Sequence, residues 1–151
     1  MLNERIKSPL KKHSCAASTA FYCIGIADPG TGEAGGFFFT REQLQELVNK
    51  NLLIKKKVWL EHGDDTKKTI GEIAYSWMDA DAGLMIVLKL YNNILISKVV
   101  VSWIKNGSRI GISLGYDAVV EEKHGKTHVR SLKVNEVSIV SKPFHKTCKI
   151  Y

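Results

Sequence analysis

Hydrophobic and polar residues alternate along several segments of the chain, which is the pattern of half-buried β-strands. The clearest alternation lies in residues 108–120, where Ile112 and Leu114 are predicted to face one way and Ser113 the other. Segments rich in glycine, asparagine and aspartate lie between these runs and predict turns. The predicted strands are residues 19–27, 58–62, 69–78, 83–90, 108–120 and 127–141.

Two segments have the spacing of helices instead. The capping box Thr40-Arg41-Glu42-Gln43 predicts the start of a helix of about ten residues. A second helix is predicted between a cap at Asn92 or Asn93 and an end at Asn106-Gly107. Its residues are apolar nearly all round, so we expect it to be buried in the core or in a subunit interface.

Together these elements predict a mainly β fold with peripheral helices. The number of hairpin-length connections favours a small, mostly antiparallel β-barrel of about six or seven strands. A length of 151 residues suits one domain. We expect a basic N-terminal arm in residues 1–18, the folded domain in residues 19–143 and a C-terminal tail in residues 144–151.

The chain is basic, with 22 Lys and Arg against 15 Asp and Glu and a formal net charge of +7. Such a charge suits a nucleic-acid or acidic-protein partner. The lysines come in short, scattered groups without interleaved aromatic residues, which favours solvated strand ends over a nucleic-acid surface. No apolar run reaches the ~18–20 residues of a membrane span, and the N-terminus lacks a signal-peptide pattern. Three widely spaced cysteines suit a reducing compartment, so we expect an intracellular protein.

Ser113 is the first candidate for chemistry, because Gly111 and Gly115 flank it on the same side of the predicted strand. Two glycines weaken a strand, so the pattern needs a reason. One reason is the close approach of another backbone, such as a bound peptide. A barrel bend or a tightly packed neighbour is the alternative.

A serine nucleophile needs a base and usually a group that orients the base. His62, at the end of a predicted strand, is the leading candidate for the base, and His128 is the weaker one. Glu136 is the leading orienting group, because a carboxylate among apolar neighbours is costly unless it is paired. The alternative for His62 is a structural histidine, and the alternative for Glu136 is an ion pair with a lysine. Glu136 is predicted to share a face with Leu132, Val134, Ser138 and Val140.

Two spacings in the chain could serve a metal ion. They are His124-x-x-x-His128, which straddles a turn, and His145-x-x-Cys148, which is half a site. His62-Gly63-Asp64-Asp65 has the composition of an ordinary turn after a strand. We therefore predict neither a metal nor another cofactor.

Several segments follow one another in an order that is shared with a known family. They are Phe21-Tyr22-Cys23-Ile24-Gly25-Ile26-Ala27-Asp28, Phe39-Thr40-Arg41-Glu42, Trp59-Leu60-Glu61-His62-Gly63-Asp64 with Ile70-Gly71-Glu72-Ile73 and Asp79-Ala80-Asp81-Ala82-Gly83-Leu84, Ile110-Gly111-Ile112-Ser113-Leu114-Gly115, and Asn135-Glu136-Val137-Ser138-Ile139-Val140-Ser141-Lys142-Pro143. This set, spread over residues 20–143, resembles the serine protease clan of herpesvirus assemblin and the tailed-phage prohead proteases.

The resemblance implies an assemblin-like barrel and roles for three residues. Ser113 would be the nucleophile and His62 the general base. Glu136 would take the third position, as in the phage branch, where herpesvirus assemblins have a second histidine. The herpesvirus Gly-Arg-Arg segment is replaced by Ser141-Lys142-Pro143-Phe144. The source of oxyanion stabilisation is therefore open.

The implied function is that of a viral capsid-maturation serine endopeptidase. It would cleave the scaffold or assembly protein and its own precursor inside the immature capsid, and it would form a dimer. The compartment would be the host nucleus for a herpesvirus-like protein and the host cytoplasm for a phage-like one. The alternative function is a non-catalytic basic β-barrel that binds nucleic acid or a capsid component, in which Ser113 and His62 would lie apart.

Overall fold

A computed structural model describes residues 20–32, 39–61, 69–143 and 145–151, except the side chains of Thr127 and His128. These ranges contain six strands and two helices, which confirms the mainly β fold with peripheral helices. Neither helix is long and apolar enough to cross a membrane. In chain order the elements are β1 (Ala20–Asp28), α1 (Arg41–Asn49), β2 (Lys57–Leu60), β3 (Gly71–Asp79), β4 (Gly83–Tyr91), α2 (Leu95–Lys105), β5 (Gly111–Lys123) and β6 (Lys126–Val140).

The six strands form one sheet in the order β1-β4-β3-β2-β6-β5. Neighbouring strands in this sheet are antiparallel except for β2 and β6, which run parallel. The prediction of a mostly antiparallel arrangement is therefore confirmed. The parallel pair places the end of β2 beside the end of β6, far from it in the sequence.

The predicted closure into a barrel is wrong, because no ladder joins the described edge strands β1 and β5. The C-terminal residues lie between these edges and form isolated bridges, Ile150 with Gly25 and Lys149 with Gly111. Ile26 N–H donates to the Lys149 carbonyl at 2.9 Å, and Ile112 N–H donates to the Cys148 carbonyl at 3.0 Å. The two edges therefore satisfy these amides with the C-terminal segment and not with each other.

The core lies on both faces of β4, which is apolar along nearly its whole length. Its alternate residues Leu84, Ile86, Leu88 and Leu90 are fully buried in the main cluster, into which both helices pack. Met85 and Val87 face the other way, into a smaller cluster. That cluster also contains Ile24, Ile26 and Cys148.

The two helices differ in how they begin. In α1 the predicted capping box is confirmed: Gln43 N–H donates to Thr40 Oγ1 at 3.1 Å, and Thr40 N–H donates to Gln43 Oε1 at 2.8 Å. The predicted asparagine cap of α2 is wrong, because α2 begins after Ile94 without a side-chain cap. A buried hydroxyl holds α2 instead, since Ser97 Oγ donates to the Ile70 carbonyl at 2.9 Å.

Burial of α2 is also one-sided, contrary to the prediction for the core. Val100 and Val101 are buried, whereas the Leu95 side chain is 76% exposed. The reason is that α2 packs on the sheet from outside, with no second layer over its other face in the described residues. Its predicted end is confirmed, because Asn106 is the C-cap and Gly107 has a positive φ of 71°.

Candidate active site

The β5–β6 hairpin carries two of the three predicted site residues. Its two-residue turn is His124-Gly125, and both residues have positive φ, 53° and 73°. Ser113 lies opposite Ser138, and Gly115 lies opposite Glu136. Residues directly opposite in an antiparallel pair project from the same face, so Ser113, Ser138 and Glu136 share one face of the hairpin.

A β-bulge at Asn135 sets the direction of Glu136. Gly115 is opposite Glu136 but Tyr116 is opposite Val134, so Asn135 is the extra residue. Val134 therefore faces the main core together with Val137, while Glu136 faces away from it. The prediction that Glu136 shares a face with Leu132 and Val134 is wrong for this reason. Its shared face with Ser138 and Val140 is confirmed by the register.

The Glu136 carboxylate is buried and held from two sides. Its side chain lies over Gly115, where an added Cβ would overlap Glu136 Oε1. Ser138 Oγ donates to Glu136 Oε2 at 2.6 Å, and Ser138 itself is fully buried. A charge-assisted hydrogen bond of this length fixes the carboxylate in one orientation.

The chain's own groups account for both glycines beside Ser113. A Cβ at Gly111 would overlap the Cys148 carbonyl oxygen and lie 2.5 Å from Pro143 Cγ. Gly115 makes room for the Glu136 side chain. The alternative of a tightly packed neighbour is therefore correct, and the glycines by themselves are not evidence of a bound peptide.

Ser113 is half-buried on this face, two residues from Gly115. It is a diagonal neighbour of Glu136, a relation in which the Cα atoms are about 7–8 Å apart. The structure therefore brings Ser113 and Glu136 together on one face. His62, the predicted base, lies outside the described residues, so its distance to Ser113 is not described either.

The strand that leads to position 62 is described up to Glu61. In the parallel β2–β6 pair, Trp59 is opposite Ser138 and Leu60 is opposite Ile139. Glu61 N–H donates to the Ile139 carbonyl at 2.9 Å, and a Glu61 carboxylate oxygen accepts from Ser141 N–H at 2.7 Å. The end of β2 is thus attached to β6 beside Ser138.

Two further residues belong to this site, Ser138 and Glu61, and the sequence pattern assigned a role to neither, although it placed Ser138 on the face of Glu136. The same period-two spacing could also have indicated the role of Ser138, because it puts the hydroxyl beside the carboxylate. No local signal could have indicated Glu61, since its partner Ser141 is 80 positions away.

A carboxylate–imidazole pair lies at the end of β1. Asp28 is buried, its Oδ1 accepts from Gly30 N–H at 2.7 Å, and its Oδ2 lies 3.9 Å from His145 Nε2. Burial raises the pKa of Asp28, while the Gly30 N–H and His145 oppose this rise. Burial, with a smaller contribution from Asp28, raises the pKa of Cys148 to about 12. Cys148 is therefore a neutral thiol and not an activated nucleophile.

No three His, Cys, Asp or Glu side chains within the described ranges cluster in a way that could hold a metal ion. His145 and Cys148 are both described, and His145 contacts Asp28. The His128 side chain and residues 62–65 lie outside the description.

Comparison with known proteins identifies the family of the chain. A family model described as caudovirus prohead serine protease matches residues 38–151, most of the chain. The matched range contains Ser113, Glu136 and His62. No curated protein matches the chain significantly. The prediction of the phage branch is confirmed, and the chain belongs to the caudovirus prohead serine protease family.

Proposed function

We propose that this chain is a capsid-maturation serine endopeptidase that cleaves scaffold or assembly protein and its own precursor. The family description, a prohead serine protease, supports this role. The observation that carries it is that a half-buried serine, Ser113, and a buried, hydrogen-bonded carboxylate, that of Glu136, lie on the same face of one hairpin. The proposed place of action is the immature capsid, in the host cytoplasm because the family is that of tailed phages.

In the proposed reaction Ser113 Oγ attacks the scissile carbonyl while His62 removes the hydroxyl proton. The tetrahedral intermediate then collapses, the C–N bond breaks and His62 gives the proton to the leaving amine. The acyl ester on Ser113 is hydrolysed by water, which His62 activates in the same way, and the free serine is restored.

Glu136 is proposed to orient the His62 imidazole and to stabilise its charged form. The diagonal relation of Ser113 and Glu136 suits this role, since an imidazole between them needs room for two hydrogen bonds of about 2.8 Å in series. Ser138 engages Glu136 Oε2, and the other oxygen, Oε1, lies over Gly115. We assign Ser138 as a positioning residue for the carboxylate.

We further propose that the protein acts as a homo-oligomer, with a dimer as the simplest form. Leu95, Val99 and Trp103 lie one turn apart on α2, and their exposed fractions are 76%, 40% and 39%. An exposed apolar stripe of this kind is typical of a surface that another subunit covers.

The test of the proposed function is labelling with a fluorophosphonate that reacts with activated serines. We expect the label on Ser113 by mass spectrometry, and we expect Ser113→Ala to lose labelling and cleavage of the cognate scaffold protein. Ser131→Ala, which changes an exposed serine of the same hairpin, is the matched control and should keep both. Scaffold cleavage by a folded Ser113→Ala variant would exclude the proposal.

Two further variants assign the remaining roles. We expect His62→Ala to behave like Ser113→Ala, because without the base the hydroxyl is a weak nucleophile. Glu136→Gln should keep partial activity, with kcat lower by about 10²–10⁴, because the imidazole loses its orienting charge. Wild-type kcat in Glu136→Gln would remove Glu136 from the proposed triad.

A further inference from the structure

A cationic cleft lies at the end of the β5–β6 hairpin, between the end of α2, the start of β5 and the C-terminal residues. Its volume is about 720 Å³. Four basic side chains line it, and we therefore refer to it as the cationic cleft. They are Arg109, Lys142, Lys146 and Lys149. Among the described residues, no aspartate or glutamate lines the cleft and no salt bridge joins these four cations to an acid.

The cleft borders the start of β5, the strand that carries the proposed nucleophile. Arg109 and Ile110 directly precede Gly111, which shares the face of Ser113 and is opposite Val140. Strand geometry, at about 3.3 Å per residue, puts the Gly111 Cα about 7 Å from that of Ser113. Arg109 lies before β5 in a turn, where Ile110 N–H donates to the Ser108 carbonyl at 2.9 Å, so its Cα is at most about 14 Å from that of Ser113. An extended peptide covers this distance with about four residues.

The backbone that carries two of these cations is fixed by hydrogen bonds to neighbouring segments. Lys149 is fixed by its bridge to Gly111 and by the hydrogen bond of its carbonyl with Ile26 N–H. Lys142 follows Ser141, whose N–H donates to Glu61. The cleft thus presents positive charge at defined positions, although the side chains themselves are exposed.

Apolar residues line the cleft between the cations. Ile104, Ile110 and Ile150 contribute these walls together with Pro143, and no tyrosine, tryptophan or phenylalanine is among the described lining residues. Stacking on aromatic rings is the usual way to hold single-stranded nucleic acid. A short cleft with apolar walls and a cationic rim suits acidic and aliphatic side chains of a peptide better.

We propose that the cationic cleft binds an acidic segment of the substrate polypeptide, with a glutamate or aspartate within about four residues of the scissile bond. The inference rests on the proposed function, since it takes Ser113 as the nucleophile. It gives part of the net charge of +7 a specific partner. Because the four cations are exposed, the attraction between the cleft and the acidic segment should weaken as the salt concentration rises.

The test measures binding and not cleavage, so that it is independent of the proposed triad. The probe is the fluorescein-labelled peptide Glu-Leu-Glu-Leu-Glu-Leu, compared with its Gln-Leu counterpart by anisotropy on the full Ser113→Ala chain. We expect at least tenfold tighter binding of the acidic peptide at low salt. Lys142→Glu with Lys149→Glu should remove this preference.

The matched control is Lys57→Glu with Lys133→Glu, which makes the same change of net charge at exposed lysines of β2 and β6. It should change the affinity less than twofold. If either reversal impairs folding, Lys142→Gln with Lys149→Gln replaces the test pair. An equal loss in control and test variants would reduce the effect to net charge and overturn the proposal.

Two other results would also overturn it. One is equal affinity for the acidic and the neutral peptide. The other is a single-stranded oligonucleotide that binds more tightly than the peptide and loses its binding in the same test variants. If Ser113→Ala abolishes cleavage and the peptides still bind equally, the cleft assignment fails and the proposed function stands.

Discussion

At the scale of single residues, the position of the Glu136 side chain depends on Gly115. Only a glycine leaves room for Glu136 Oε1 on that face of β5. The Glu136 carboxylate is therefore packed against backbone in addition to accepting its hydrogen bond from Ser138.

We predict that Gly115→Ala displaces this carboxylate. Overpacking against a buried side chain, here that of Glu136, costs about 1–3 kcal/mol of unfolding free energy. A shift of about 1 Å at a catalytic group can lower kcat/KM about 10²-fold. Urea unfolding and peptide cleavage measure the two effects.

The control is the same substitution in a Glu136→Ala background, where the added methyl group meets no carboxylate. There the stability cost should largely disappear, a non-additivity that a double-mutant cycle reports. A Gly115→Ala variant with wild-type stability and activity would contradict the packing argument.

Asp28 makes stability depend on pH, and the sign follows from the direction of its pKa shift. Burial raises the pKa of Asp28 in the folded state. The contribution of Asp28 to the free energy of unfolding is therefore fully present below the ordinary aspartate pKa of about 3.9, and it is lost as pH rises through the pKa of the folded state. We predict that Asp28→Asn has a higher Tm than the wild type at pH 7. The difference should shrink toward zero below about pH 4.

Thermal unfolding of both chains across this pH range measures the effect. Asp117→Asn, at an exposed aspartate of β5, controls for the loss of one charge. A stabilisation of Asp28→Asn that is the same at pH 3 and pH 7 would show that ionisation is not its cause.

At the scale of elements, the two helices show how far local patterns reach. The capping box of α1 is complete within four residues, so sequence alone predicted it correctly. The start of α2 is set by tertiary contacts, such as the Ser97 hydrogen bond to Ile70, and the nearby asparagines do not cap it. The apolar pattern of α2 likewise did not show which face the sheet covers.

The exposed face of α2 leads to a prediction about assembly. If Leu95, Val99 and Trp103 form a subunit interface, Val99→Glu should convert the oligomer to monomer, because it places a charge at the centre of the stripe. Sedimentation velocity measures this change, and we expect at least a tenfold rise in the dimer dissociation constant.

Leu52→Glu is the matched control, since Leu52 is 48% exposed and lies outside α2. It should leave the sedimentation coefficient unchanged. A wild-type chain that remains monomeric at high concentration would contradict the proposed oligomer.

At the scale of the whole molecule, the C-terminal residues connect the two edges of the sheet. Four backbone hydrogen bonds join residues 148–151 to β1 and β5, at Ile24 (two), Ile26 and Ile112. Cys148 is also buried against β1 and β4 in the smaller cluster. The expected C-terminal tail is thus, over these residues, an integral part of the fold.

We predict that deletion of residues 148–151 lowers the free energy of unfolding by about 2–6 kcal/mol, at about 0.5–1.5 kcal/mol for each hydrogen bond. Urea unfolding measures the loss. Lys149→Ala, which keeps the backbone bridges, should change stability by less than about 0.5 kcal/mol. An unchanged urea midpoint in the deleted chain would contradict the connecting role.

The sequence by itself determined the local features of this protein. The alternation around Ser113, the turn at His124-Gly125 and the capping box at Thr40 depend on neighbouring residues, so periodicity and turn chemistry reveal them. The family motifs also selected Ser113, Glu136 and His62, and the roles of these residues remain predictions.

Only the tertiary structure decided how distant segments meet. It paired β2 in parallel with β6, used a bulge at Asn135 to turn Glu136 away from the core, and placed residues 148–151 between β1 and β5. These outcomes depend on which strands can bury their apolar faces together and satisfy their backbone groups at once. A pattern read along the chain records which face is apolar, but the partner of that face is chosen by the packing of the whole molecule.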